Sequence, residues 1–227
     1  MILEELTFQR IIRLSIPIMN MEVLFDKIKN KFRRLLYTLV LSKFGFGNRV
    51  SKRIWEKQFC GNDWDYLYTE AEKGHYLAIA DLFKKHGLGK ILDVGCGQGV
   101  LYNYLKSEIK PLNYLGIDIS SNAVANAKVS FPGASFLQLD FEYDTLNVKF
   151  DAIIFNETLY YFNRPLNTIQ KCIKQNLNKG GYFIISMCDF LGHDVIWEVL
   201  KKHFNFISFQ EILNENDQKW KVAIFRP

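Results

Sequence analysis

The chain has 227 residues, which is room for one α/β domain of about 150–200 residues with an extension. With 48% apolar and 23% charged residues it can build a packed core, which excludes a disordered chain; its 15% aromatic content predicts a core and pocket lined with rings. The net charge of +5 is concentrated near the N-terminus, and the four cysteines lack CxxC spacing, which argues against a zinc knuckle and for a reduced, cytoplasmic setting.

The opening stretch carries Glu4, Glu5, Arg10 and Arg13, where a secretory signal wants a basic start and an unbroken apolar centre. No run reaches the roughly 18 apolar residues of a membrane span. Leu24, Ile28, Phe32, Leu35, Leu36 and Leu39 then recur at steps of three and four, which predicts a helix with an apolar stripe. Lys27, Lys29, Lys31, Arg33 and Arg34 fall largely off the stripe. Two roles are open to this helix. The favoured one packs it on the main domain; the other lays it on a membrane surface, with basic residues flanking the apolar face. Gly45 and Gly47 are expected to end it. Trp55, Trp64, Tyr66 and Tyr68 follow, and either cover a site as a lid or pack on the sheet. Residues 1–68 therefore read as a helical extension and 69–227 as the main domain.

A helix is predicted over 70–86. Tyr76, Ile79, Ala80 and Phe83 share one face, cations fill the last turn, and Gly87 serves as a left-handed cap. Strands at 90–94, 114–118, 135–139, 150–155 and 182–187 then alternate with helices at 100–107, 121–129, 165–176 and 193–203. Such alternation predicts a parallel sheet covered on both faces. The segments 204–210 and 219–225 flank a polar loop without a helix and predict an antiparallel hairpin.

The sharpest motif is Ile91-Leu92-Asp93-Val94-Gly95-Cys96-Gly97-Gln98-Gly99. An apolar strand runs into a glycine loop, and a helix follows. Gly95 and Gly97 let a ligand lie against the backbone, and the helix offers free N–H groups. Asp93 places a carboxylate near that cradle. A second motif, Gly116-Ile117-Asp118-Ile119-Ser120, ends a strand with Asp118, whose carboxylate can accept both hydroxyls of a ribose. Ser120 is a helix-cap candidate. Two further strand ends carry Leu139-Asp140-Phe141 and Asn156-Glu157-Thr158-Leu159-Tyr160-Tyr161-Phe162, and Asn178-Lys179-Gly180-Gly181 precedes the fifth strand as a turn.

The G-x-G-x-G loop with an acidic residue two positions ahead, and the order of elements over about residues 70–227, resemble the class I, Rossmann-like S-adenosylmethionine-dependent methyltransferases of small-molecule type. The resemblance implies a doubly wound sheet of seven strands in the order 3-2-1-4-5-7-6, mostly parallel, with the last strand antiparallel. It implies S-adenosylmethionine as methyl donor, held by Asp93, Gly95, Cys96, Gly97, Asp118, Ile119, Asp140, Phe141 and Asn156. Asp140 would meet the adenine amino group and Phe141 the ring. Asn156 would take the donor's amino group through a carbonyl. Glu157 would orient or deprotonate the acceptor, and Tyr160 and Tyr161 would face the sulfonium. His193, just after the fifth strand, is a further candidate base. The chemistry needs alignment more than a strong base, and no metal.

Short segments, N-E-T-L-Y-Y-F and W-D-Y-L, are similar to methyltransferases acting on sugars and oligosaccharide amines, which implies a small polar acceptor. No nucleic-acid partner is expected, since such a substrate calls for a clear basic cleft with stacking aromatics. The oligomeric state is left open. A nucleotide-dependent oxidoreductase and a donor-binding subunit without turnover are the alternatives.

Overall fold

The computed structural model describes residues 31–227 apart from 62, 111 and 112, so Leu24, Lys27, Ile28 and Lys29 lie outside the described residues. Residues 31–39 form helix α1, and Leu41–Phe44 make a 3-10 turn closed by Gly45. α1 docks on the domain, but not by the expected face. Tyr37 is buried and its hydroxyl donates to the Leu191 carbonyl at 3.1 Å, while Arg33 donates to Asn163 Oδ1 at 3.1 Å. The stripe of Phe32, Leu35, Leu36 and Leu39 is exposed instead. The loops it meets present a carbonyl and an amide oxygen. A tyrosine hydroxyl and a guanidinium can pair with these, and leucines cannot.

The chain then runs along the main domain. A Cβ on Gly47 would lie 2.0 Å from the Phe162 carbonyl oxygen, so only glycine allows this approach, and the Asn48 N–H donates to the Tyr160 carbonyl at 2.7 Å. Helix α2 spans Lys52–Phe59 and helix α3 Glu70–Lys85.

Beyond α3 strands and helices alternate: β1 Ile91–Val94, α4 Val100–Leu105, β2 Tyr114–Asp118, α5 Ser121–Ser130, β3 Ser135–Gln138, β4 Phe150–Asn156, α6 Pro165–Gln175, β5 Leu177–Cys188 and α7 His193–His203. The hairpin β6 Asn205–Leu213 and β7 Lys219–Arg226 closes the chain. The seven strands lie in the order β3-β2-β1-β4-β5-β7-β6, as the resemblance implied. β1 to β5 pair in parallel, and β7 runs antiparallel between β5 and β6. β5 starts earlier than expected. Its Gly180-Gly181 segment forms an irregularity in the pairing with β4, so the turn read from the sequence lies inside the strand.

Successive residues of the central strands point to opposite faces, and both faces are covered, so these strands read as unbroken apolar runs. Ile91, Ile154, Ile184 and Ile224 pack under α3, α4 and α5 with Tyr76, Ile79, Leu105 and Val124. Leu92, Ile153, Ile185 and Ala223 face the other side, against Ile169 of α6 and Trp197 and Leu200 of α7. Trp197 is fully buried against Phe206 and Phe209, and its Nε1–H has no hydrogen-bond partner among the described residues. Trp197→Ala should therefore cost about 3–5 kcal/mol in urea unfolding. Trp197→Phe should cost much less, because no hydrogen bond is lost with the indole N–H. Equal losses for the two variants would refute this packing account.

Candidate functional site

Parallel pairing brings the C-terminal ends of β1, β2, β3, β4 and β5 to one edge of the sheet, the usual place for a ligand crevice in such folds. The loop after β1 is the first wall. Gly95 and Gly97 have φ of +76° and +53°, in the left-handed region. A Cβ on Gly95 would lie 2.3 Å from Thr158 Cγ2, so the close approach of the β4 loop also demands glycine. Thr158 Oγ1 donates to the Val94 carbonyl at 2.6 Å and locks the two loops together.

Asp118 ends β2 directly beside this loop. Its Oδ2 accepts from the Gly97 N–H at 3.0 Å and its Oδ1 from the Ser120 N–H at 2.8 Å. Each oxygen keeps a lone pair free for a ligand hydroxyl. Burial pushes its carboxyl up to about 6, against the pull of the two N–H groups. Asp93 lies buried beneath the loop, where the Tyr114 hydroxyl donates to it at 2.7 Å, and burial pushes it up to about 7. Cys96 is buried, and burial raises its thiol well above the ordinary range. Ser120 caps α5, accepting from the Ala123 N–H at 3.2 Å.

The adjoining wall differs in detail from the sequence expectation. Asp140 and Phe141 both line the cavity, but Asp140 Oδ2 is paired with Arg49, whose other amine holds Glu142 at 2.7 Å. Asn156 Oδ1 accepts from Nδ1 of His75, a fully buried residue that stacks on Trp220. Arg49 and His75 both escaped the sequence reading.

Glu157 has φ of +56°, a strained value for a non-glycine residue. It is held there by its own hydrogen bonds. Its carboxylate accepts from Ser186 Oγ at 3.0 Å, from the Cys188 N–H at 2.9 Å and from the Tyr160 hydroxyl at 3.2 Å. Tyr160 stacks on His193 with ring centroids 4.1 Å apart. His193 Nδ1 lies 2.7 Å from the Cys188 carbonyl, which can only accept, so Nδ1 carries the proton and Nε2 the lone pair. Burial lowers the His193 pKa below the ordinary histidine value, which keeps the ring neutral at neutral pH. Tyr161 meets Trp55 edge to face at 4.8 Å.

Helix α2 covers the crevice. Its Phe59 ring lies 3.5 Å from where a Cβ on Gly97 would stand, and Trp55, Phe59 and Trp64 form one ring cluster. Tyr66 also lines the cavity, whereas Tyr68 is not part of its lining. Glu56 fastens α2 to the start of α5. Its carboxylate accepts from the N–H groups of Ser121 and Asn122 at 2.9 and 3.1 Å and from Ser120 Oγ at 2.8 Å. Burial alone would raise its carboxyl, but these donors bring it down to about 2. The positive end of α5 favours the same ionised form. Glu56 was not apparent in the sequence, since its partners lie more than 60 residues away.

Together these walls enclose a cavity of about 730 Å³ that reaches from the glycine loop and Asp118 to Glu157 and His193. The volume lies within the usual range of about 300–1,000 Å³ for small-molecule sites. Two buried polar atoms of its lining, Gln58 Oε1 and Trp64 Nε1, have no hydrogen-bond partner among the described residues. An acceptor and a donor left open beside a glycine cradle and a hydroxyl-binding carboxylate fit a nucleoside ligand.

A methyltransferase-domain family model matches residues 85–223. Malonyl-[acyl-carrier protein] O-methyltransferase of Acetivibrio thermocellus is 31% identical over 74% of this chain and 59% of that protein. Ribosomal RNA small subunit methyltransferase C of Haemophilus ducreyi is 28% identical over 68% of this chain and 47% of that protein. The chain thus spans about half the length of these curated relatives. Among solved structures, the N-methyltransferase NodS from Bradyrhizobium japonicum, in complex with S-adenosyl-L-homocysteine, superposes with a TM-score of 0.66 over 77% of this chain and 97% of NodS, at 18% identity. That likeness speaks for the fold alone. The family match and the antiparallel β7 set aside the nucleotide-dependent oxidoreductase. The chain belongs to the class I S-adenosylmethionine-dependent methyltransferases.

Proposed function

We propose that this chain transfers a methyl group from S-adenosylmethionine to a hydroxyl or amine of a small polar molecule, of the kind found among sugars and secondary metabolites. The observation that carries this reading is the single cavity shared by Asp118 at one end and Glu157, Tyr160 and His193 at the other. Donor and acceptor would then sit in one chamber from which the α2 rings exclude water.

S-adenosylmethionine supplies a methyl group on a cationic sulfur. Asp118 receives the ribose hydroxyls, and the backbone at Gly95, Cys96, Gly97 and Ile119 forms the floor. Asp140 retains Oδ1 for the adenine amino group, with Phe141 against the ring. The Asn156 carbonyl takes the amino group of the donor. The faces of Tyr160, Tyr161 and Trp55 favour a cation. Glu157, fixed by its three donors, orients an N–H or O–H of the acceptor. It would repel a carboxylate acceptor, which narrows the nucleophile to hydroxyl or amine. His193, neutral with its Nε2 lone pair, takes the proton that the nucleophile gives up.

Donor binding should respond to pH through Asp118. Only the ionised carboxylate accepts from both hydroxyls. Affinity for S-adenosylhomocysteine should therefore be full above about pH 6 and fall as pH drops through that value. Asp118→Asn should weaken binding by about 1.5–3 kcal/mol and flatten this slope, with circular dichroism unchanged. Unchanged affinity in that variant would sink the ribose assignment.

Turnover should separate the two acceptor-side groups. In an assay of S-adenosylhomocysteine release over a panel of amino sugars and hydroxylated metabolites, His193→Gln should lower kcat about 100-fold while leaving donor affinity intact. Glu157→Gln should mainly raise the acceptor KM. Donor binding with no release from any acceptor would favour a subunit without turnover.

A further inference from the structure

The outer face of α1 and the turn after it carries apolar side chains that no described residue covers. Phe32 is 67% exposed, Leu35 54%, Leu39 55% and Phe44 67%. Leu36 and Val40 add to the same surface. Such a row is costly to leave in water, and it is not part of the contact through Tyr37 and Arg33 that holds α1 to the domain. Its surroundings are cationic. Lys31 and Lys43, its near neighbours in the chain, are exposed. From residue 27 to residue 55 the sequence has nine lysines and arginines and not one aspartate or glutamate, against a net charge of +5 for the whole chain.

We propose that this face docks on an anionic lipid bilayer, with Phe32, Leu35, Leu39 and Phe44 entering the interface and Lys31 and Lys43 meeting lipid headgroups. Charge complementarity selects this occupant. A second copy of the chain is disfavoured, because a two-fold interface would set the same cations against one another. Insertion across the bilayer is not implied, since no described helix is long and apolar enough to cross a membrane. The docking face adjoins the site: Arg33, Arg34 and Tyr37 of α1 also line the cavity. A docked enzyme would thus work with its cavity wall next to the lipid surface.

The test is sedimentation of the full chain with two sets of vesicles, phosphatidylcholine alone and phosphatidylcholine with about one third phosphatidylglycerol. The chain should bind the second set and not the first, and raising salt from about 0.1 M to about 0.5 M should release it. Leu35→Ser with Leu39→Ser should lower binding about tenfold or more, and so should Lys31→Glu with Lys43→Glu. Affinity for S-adenosylhomocysteine should stay unchanged in both variants, which show thereby that they fold. If the leucine pair fails to fold, the charge-reversed pair decides. Absence of binding by the full chain, whether because residues 1–30 or a second copy covers the face, would overturn the proposal. So would equal binding to neutral vesicles, or binding unaffected by either pair of changes.

Discussion

Asp118 accepts one hydrogen bond from the Gly97 N–H, which joins the loop after β1 to the end of β2, and one from the Ser120 N–H, which fixes the turn that follows β2. The Gly95 and Cys96 N–H groups add to the join by sharing the Ile117 carbonyl at 2.7 and 3.0 Å. Three backbone donors, at Gly95, Cys96 and Gly97, are thereby satisfied within a turn too tight for any side chain at position 95. The rest of the site is arranged around this knot. Thr158 packs onto Gly95 and so fixes where the β4 loop begins. Glu157, the preceding residue, sits at φ of +56° and is held there by Ser186, Cys188 and Tyr160. α2 then closes from above, with Phe59 over Gly97 and Glu56 on the start of α5.

The two ends of the cavity differ in how they are polarised. At the donor end two buried carboxyls, Asp93 and Asp118, lie close enough that the charge on Asp118 helps raise the Asp93 carboxyl. At the acceptor end two carboxyl side chains, Glu157 and Glu72, lie among tyrosines whose hydroxyls burial keeps protonated; Tyr66 and Tyr161 are both pushed up to about 12. Those hydroxyls act as donors and not as bases. His193, whose tautomer is set by the Cys188 carbonyl, presents an unprotonated Nε2 at this end and is the base that we propose. The names of the relatives span malonyl-[acyl-carrier protein] and ribosomal RNA, so family likeness leaves the acceptor open and the local chemistry has to narrow it.

The sheet was legible because its signals are local. Strand runs such as Tyr114–Asp118 and the helix His193–His203 have clear ends, and the structure reproduces both ranges. The same holds for the glycine loop and the acidic strand ends, which are contiguous words in the chain. What escaped notice depends on partners far apart in sequence. Arg49 meets Asp140 across 91 residues, and His75 meets Asn156 across 81. α2 has few apolar positions of its own and owes its place to Glu56 and the ring cluster. The orientation of α1 was misjudged for a related reason. Periodicity identifies an apolar stripe, but whether that stripe or the side carrying Tyr37 meets the domain depends on the polar groups waiting there.

The central claim is that the crevice built around Asp118 and the glycine loop recognises S-adenosyl ligands. Calorimetric titration of the purified chain with S-adenosylhomocysteine, and in parallel with NAD, tests it most directly. The account predicts saturable binding of S-adenosylhomocysteine in the micromolar range and no heat from NAD. Saturable NAD binding without any response to S-adenosylhomocysteine would contradict it.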